Sequence, residues 1–179
     1  MTEKEISPPE WPKPDKDTEA AIGRFIIAWG VLEREIDQAI EDIYRLDSDL
    51  ALSITANLGT KAKLEIFQSA IHCLDDVFGT TIVAVADKLV NDTTSTKDQY
   101  RNFFAHGQPF ALDVSPDAPW AWVKLSARKG GVKGHVRRLT PEIADKATAA
   151  TRSLIERWYA LRRNLADGIR LLNELDRGF

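Results

Sequence analysis

Residues 17–43 read DTEAAIGRFIIAWGVLEREIDQAIEDI. Ile22, Phe25, Ile26, Trp29, Leu32, Ile36, Ala39, Ile40 and Ile43 recur every three or four positions, and Arg24, Glu33, Arg34, Asp37 and Glu41 fill the opposite face. That period predicts one amphipathic helix, about 40–45 Å long at 1.5 Å per residue. Asp17 or Thr18 can cap it, with Glu19 in the first turn. A stripe of this width must be buried against other helices, which makes the fold class all-α. Gly23 and Gly30 are the misfits. Each costs about 1 kcal/mol relative to alanine inside a helix, and close approach by another helix or chain is the physical reason to keep them.

Residues 1–16 hold Pro8, Pro9, Pro12 and Pro14 among charged residues and read as a disordered or loosely docked tail. Residues 17–179 then form one helical domain. Ser48 or Asp49 can cap a short second helix ending before Gly59. Thr60 can cap a third with Leu64, Phe67, Ala70, Ile71 and Leu74 on its stripe. Asp75, Asp76 and Gly79 break the chain, an apolar run follows from Ile82 to Val90, and Asn91–Thr96 reads as a kink or short loop. The pattern resumes near Ser95 through Tyr100, Phe103 and Phe104 until Gly107 and Pro109 stop it. Thr140-Pro141-Glu142 opens a long last helix carrying Ile143, Ala147, Ala150, Leu154, Trp158, Leu161, Leu165, Ile169 and Leu172. Before it, two alternating runs, Trp120–Ser126 and Val132–Leu139, flank Lys129–Gly131 and predict a β-hairpin within residues 119–139. The expectation is a bundle of five or six helices with a small β-hairpin insertion before the last.

The chain has 179 residues, 44% hydrophobic and 28% charged, the size of one domain. Its longest apolar run, Phe25 to Leu32, falls short of the roughly 20 residues a bilayer span needs. The acidic, polar first residues do not read as a signal peptide. One cysteine, Cys73, closes no intrachain disulfide and anchors no cysteine-based zinc site. A reducing cytoplasm is the expected compartment. The net charge of −3 means that a polyanion has to be met by a local patch. Six cations and no acid fall between Ala118 and Pro141: Lys124, Arg128, Lys129, Lys133, Arg137 and Arg138. They read either as a phosphate-contacting arm or as a solvated hairpin whose lysines keep an edge soluble.

Three histidines bound the chemistry. His72 lies beside the stripe of the third helix and reads as structural, and His135 reads as hairpin surface. His106 ends the string Tyr100-Arg101-Asn102-Phe103-Phe104-Ala105-His106-Gly107. At about 100° per residue Asn102 and His106 share a helix face. Arg101 is about 140° round from His106, a gap its long side chain can cross. Phe103 and Phe104 point elsewhere and anchor the helix. The negative end of the helix favours an imidazolium and a nearby guanidinium favours the neutral base, a balance that suits proton transfer. No Gly-rich phosphate loop, GxSxG, HExxH or His/Cys-rich cluster occurs, so no cofactor or metal is expected. Asp75-Asp76 reads as a turn, and Cys73 shares no helix face with His72.

The string resembles the motif of the HEPN superfamily, all-α bundles carrying Arg-x4-6-His in which a polar residue often follows the arginine. Arg101, Asn102 and His106 match it as Arg-Asn-x3-His, with glycine next. The long first helix with Trp29-Gly30-x-Leu32-Glu33, the short second helix and the hairpin before a long last helix extend the likeness over about residues 17–175. The resemblance implies a metal-independent endoribonuclease, a homodimer whose motif helices meet at a two-fold axis to build one composite cleft. It further implies a toxin or antiviral-defence effector with an antitoxin or regulatory protein as partner. By position, His106 would accept the proton of the RNA 2′-hydroxyl or protonate the leaving oxygen. Arg101 would neutralise the developing phosphorane charge, and Asn102 would position the phosphate or the histidine. The products would be a 2′,3′-cyclic phosphate and a 5′-hydroxyl, and the basic hairpin would hold flanking phosphates. Some toxin members carry a modifiable tyrosine two residues after the histidine, where this chain has Gln108.

A reading of another class is a non-catalytic helical module of the same kind that binds a protein or a nucleotide. The acidic balance suits it, as does an Arg–His pair that is only a helix-end contact. Arg101, Asn102 and His106 lining an exposed cleft favour catalysis, more so if they face one another across a two-fold axis, whereas a His106 buried beneath its own bundle favours the binding module. Two further roles stay open at this level. Glu33 either orients Arg101 from the first helix or sits on a solvated face. Trp120 and Trp122 either stack on RNA bases or pack on the bundle.

Overall fold

Asp15 starts the first helix. Its carboxylate accepts from the Thr18 backbone N–H at 2.9 Å and from the Thr18 hydroxyl at 2.7 Å. The cap therefore sits before Asp17 and Thr18, and Asp17 and Glu19 occupy the first turn, where the helix dipole favours acids. The second helix is also capped earlier than expected, by Asp47, which accepts from the Asp49 N–H at 3.0 Å. Thr60 caps nothing. Gly59 precedes the third helix without a side-chain bond, and the Thr60 hydroxyl donates to Glu33 at 2.6 Å.

The computed structural model describes residues 15–111, 120–128, 131–138 and 140–176. Apart from Asp15 and Lys16, the expected N-terminal tail lies outside them. The described helices are α1 (Lys16–Tyr44), α2 (Ser48–Thr55), α3 (Thr60–Cys73), α4 (Asp75–Thr96), α5 (Asn102–His106) and α6 (Pro141–Asp176), with a π-helical turn at Lys97–Arg101. Strands β1 (Gln108–Ala111), β2 (Trp120–Arg128) and β3 (Gly131–Arg138) form one antiparallel sheet in the order β1-β2-β3. The molecule is an all-α bundle with a small β insertion before its last helix, as the sequence predicts. β1 was not expected. It contains Pro109, opposite Trp122, and as an edge strand it leaves one side unpaired, where a missing N–H costs least.

Ion pairs fix the helix directions. Arg24 meets Asp145 at 2.9 Å, and Arg162 meets Glu35 at 2.9 Å and Asp42 at 2.8 Å, so α1 and α6 run side by side in the same direction. α4 runs against α6: Phe78 near its start packs on Gly168, and Asp92 near its end pairs with Arg157 at 2.7 Å. The fully buried Trp158 joins three helices. Its indole N–H donates to the Thr93 hydroxyl at 3.0 Å, and Phe67 of α3 meets its ring edge-on at 4.7 Å.

α4 departs from the sequence reading in one respect. Gly79, at φ 76°, makes the expected break near its start. The polar cluster Asn91–Thr96, however, continues the helix. Thr93 is buried beneath Trp158 with its hydroxyl donating back to the Leu89 carbonyl at 2.8 Å, which takes that group out of competition with the helix backbone. Among the described residues no helix is long and apolar enough to cross a membrane.

α3 is clasped on both sides. Lys63 binds the Asp37 carboxylate at 2.7 Å, and Asp87 of α4 accepts from Gln68 at 2.7 Å and lies 3.0 Å from His72 Nε2. His72 is thus a structural residue, as expected. The Gln68 hydrogen bond, aided by His72, holds the Asp87 carboxyl below its ordinary range against the opposing effect of burial. A carboxyl lowered in the folded state stabilises it fully above the unfolded value of about 4 and loses that contribution as pH falls through the lowered value. The stability gap between wild type and Asp87→Ala, read by urea unfolding, is expected to be full at neutral pH and to shrink steadily below about pH 4.

Candidate functional site

The end of α4 does not stop but widens. Over Lys97–Arg101 the backbone follows a π-helical turn, with the Asn102 N–H reaching back five residues to the Lys97 carbonyl. Single π turns concentrate at functional sites because they re-aim side chains at the cost of a regular hydrogen bond. Arg101 is the last residue of this turn and His106 the last of α5.

Arg101 Nη1 lies 3.1 Å from His106 Nε2, so the guanidinium does cross the helical gap. A guanidinium only donates, which makes Nε2 the acceptor and places the imidazole proton on Nδ1 in this geometry. The pair is accessible: His106 is exposed and Arg101 half-buried. Asn102 has a partner that the sequence did not point to. Its amide Nδ2 donates to Asp98 at 2.9 Å, so it is held from the turn before and does not touch His106. Asp98 escaped the sequence reading. The signal was there, since Asp98, Asn102 and His106 follow a four-residue spacing that lines one helix face.

Two aromatics hold this helix end in place. Phe104 packs 5.0 Å from the Phe25 ring of α1 and 6.4 Å from the Trp122 ring of β2. Phe103 is buried, and its carbonyl accepts from both the Gly107 N–H at 2.8 Å and the Trp122 indole N–H at 2.6 Å. Trp122 therefore packs on the bundle; Trp120 lies where no side chain is described. Gly107 follows from Trp122. Its φ of −82° suits any residue, but a Cβ there would fall 1.8 Å from the indole.

Arg137, opposite Trp122 in the β2–β3 register, secures the hairpin a second time. Its Nη1 donates to the Gln99 carbonyl at 2.5 Å and its guanidinium lies 5.1 Å above the Phe103 ring. One expected phosphate contact is thus a strut between hairpin and motif. By backbone register Lys124 is partnered with His135, Ser126 with Lys133 and Arg128 with Gly131. Arg138, partnered with Ala121, is exposed, and Lys129 lies outside the described residues. Glu33 takes neither expected role, because its carboxylate is bound to Thr60.

No protein-family model, curated protein or solved structure matches this chain. The contact that shapes the site can be tested by stability. Gly107→Ala is expected to cost at least about 2 kcal/mol in denaturant unfolding, because the added methyl must displace a packed indole. Adding Trp122→Phe to that variant is expected to recover part of the loss, so that the double variant is more stable than the sum of the single effects predicts.

Proposed function

We propose that the protein is a metal-independent endoribonuclease of HEPN type, acting in the cytoplasm on RNA, with Arg101 and His106 as its reacting pair. The observation that carries the reading is the 3.1 Å contact between an arginine and a histidine on an exposed helix end, beside a strand pair rich in cations. RNA supplies its own nucleophile, so the site needs a base, an acid and a cation around one phosphate.

The bound phosphate takes over the Arg101 guanidinium, which releases His106 Nε2. The ribose 2′-hydroxyl gives its proton to that nitrogen as its oxygen attacks phosphorus. The phosphorus–O5′ bond then breaks, an imidazolium returns a proton to the 5′ oxygen, and a 2′,3′-cyclic phosphate remains. Arg101 balances the charge that builds on the phosphorane oxygens. Asn102, fixed by Asp98, presents its second amide N–H to the phosphate. Two copies meeting at their motif helices would supply one imidazole as base and one as acid. Such an enzyme would serve as a toxin or defence effector held in check by an antitoxin or regulatory protein.

The exposure of His106 favours this over the binding-module alternative, which calls for a buried imidazole. The test is cleavage of a mixed RNA pool in EDTA by wild type, His106→Ala and Arg101→Ala. Loss of an acid–base group is expected to lower the rate by about 100-fold or more, and loss of Arg101 by a similar factor. Products should carry 2′,3′-cyclic phosphate ends. A folded wild type that leaves the RNA intact overturns the ribonuclease reading in favour of binding.

A further inference from the structure

Two glycines inside α1 have no explanation among the described residues of the protomer. A Cβ built at Gly23 or Gly30 meets no described atom within 4 Å, whereas Gly107 and Gly168 face an indole and a phenyl ring. Around them the helix surface is apolar and open: Ile27 is 72% exposed and Ile26 44%. Glu19 and Arg34, both exposed, bracket this surface and have no ion-pair partner among the described residues. On a helical projection Glu19, Gly23, Ile26, Ile27, Gly30 and Arg34 fall within an arc of about 100°.

The order of these residues specifies an occupant. Gly23 and Gly30 are centred between Ile26 and Ile27, and so are Glu19 and Arg34. A two-fold axis through that point, perpendicular to the helix, sets Gly23 against the partner's Gly30 and Ile26 against the partner's Ile27. It also sets Glu19 against the partner's Arg34. Every contact occurs twice, as an isologous interface requires. A parallel pairing would instead oppose Glu19 to Glu19 and Arg34 to Arg34. The glycines let two backbones approach closely, which is the one gain that offsets their cost in a helix. The partner helix begins at Lys16, which would lie opposite Asp37, one turn short of Glu41, where Ser48 of α2 is hydrogen-bonded.

We infer that the α1 face formed by Gly23, Ile26, Ile27 and Gly30 binds a second copy of this chain as an antiparallel helix pair closed by Glu19–Arg34 ion pairs. This goes beyond the ribonuclease reading and does not rest on it. Phe25, which packs on Phe104 of the motif helix, lies about 150° round α1 from the glycines, so the motif is on the other side. Motif pairing, where it forms, is a separate interface.

Sedimentation of the full chain at about 100 μM tests the proposal, a concentration at which a pair with a dissociation constant of about 10 μM is mostly formed. Wild type is expected to associate and Ile27→Asp, on an exposed position, to halve the assembly mass with an unchanged unfolding curve. Glu19→Arg and Arg34→Glu should each raise the dissociation constant about tenfold, and the double reversal should restore it. A monomeric wild type overturns the inference. So does an assembly that Ile27→Asp leaves intact, which would put pairing at the motif or elsewhere, or a double reversal no better than its parts. RNA cleavage by His106 variants is read separately, so failure of either idea is visible alone.

Discussion

The indole N–H of Trp122, buried against the Phe103 carbonyl, is the constraint from which the arrangement of the site follows. An unpaired indole N–H in that position would lose a hydrogen bond without recovering one from water, so ring and carbonyl must stay together. Their proximity removes the side chain at 107, seats Phe104 between Phe25 and the sheet, and brings β3 near enough for Arg137 to reach Gln99. The cationic strand pair and the helix end bearing Arg101 and His106 are therefore one mechanical unit. A hairpin that looked like an appendage in the sequence is rooted in the motif.

Much of the bundle was legible because α1, α3 and α6 bury one face each, and burial of one face leaves a 3.6-residue imprint. Phe25, Leu32, Phe67, Leu154 and Trp158, all read as stripe residues, are core residues. Where the reading erred, tertiary contacts had overridden local preference. Asn91–Thr96 looks like a loop because its residues favour caps and turns, yet Thr93 and Asp92 find partners on α6 that keep the segment helical. Cap positions slipped because Asp15, Asp17 and Thr18 are all acceptable caps, and only geometry chooses among them. β1 was invisible for another reason: four residues containing a proline carry no strand signature until β2 lies beside them.

The site was legible in parts that depend on one helix and illegible in parts that depend on two elements. The Arg101–His106 contact follows from residue spacing and side-chain length. Arg137 as a strut and Glu33 as the acceptor for Thr60 both require knowing how separate segments meet. Asn102 shows the limit of arguing from a shared face, since its amide had a nearer carboxylate one turn back.

Arg101 and a proton compete for the same lone pair on His106. The guanidinium can hold Nε2 only while that nitrogen is bare, and an added proton there would turn the contact into a meeting of two cations. An anion that draws Arg101 aside makes Nε2 available to a proton, and protonation in turn frees Arg101 for an anion. Anion binding and proton transfer at this helix end therefore draw on one guanidinium and one nitrogen that are already in contact, whatever the anion is.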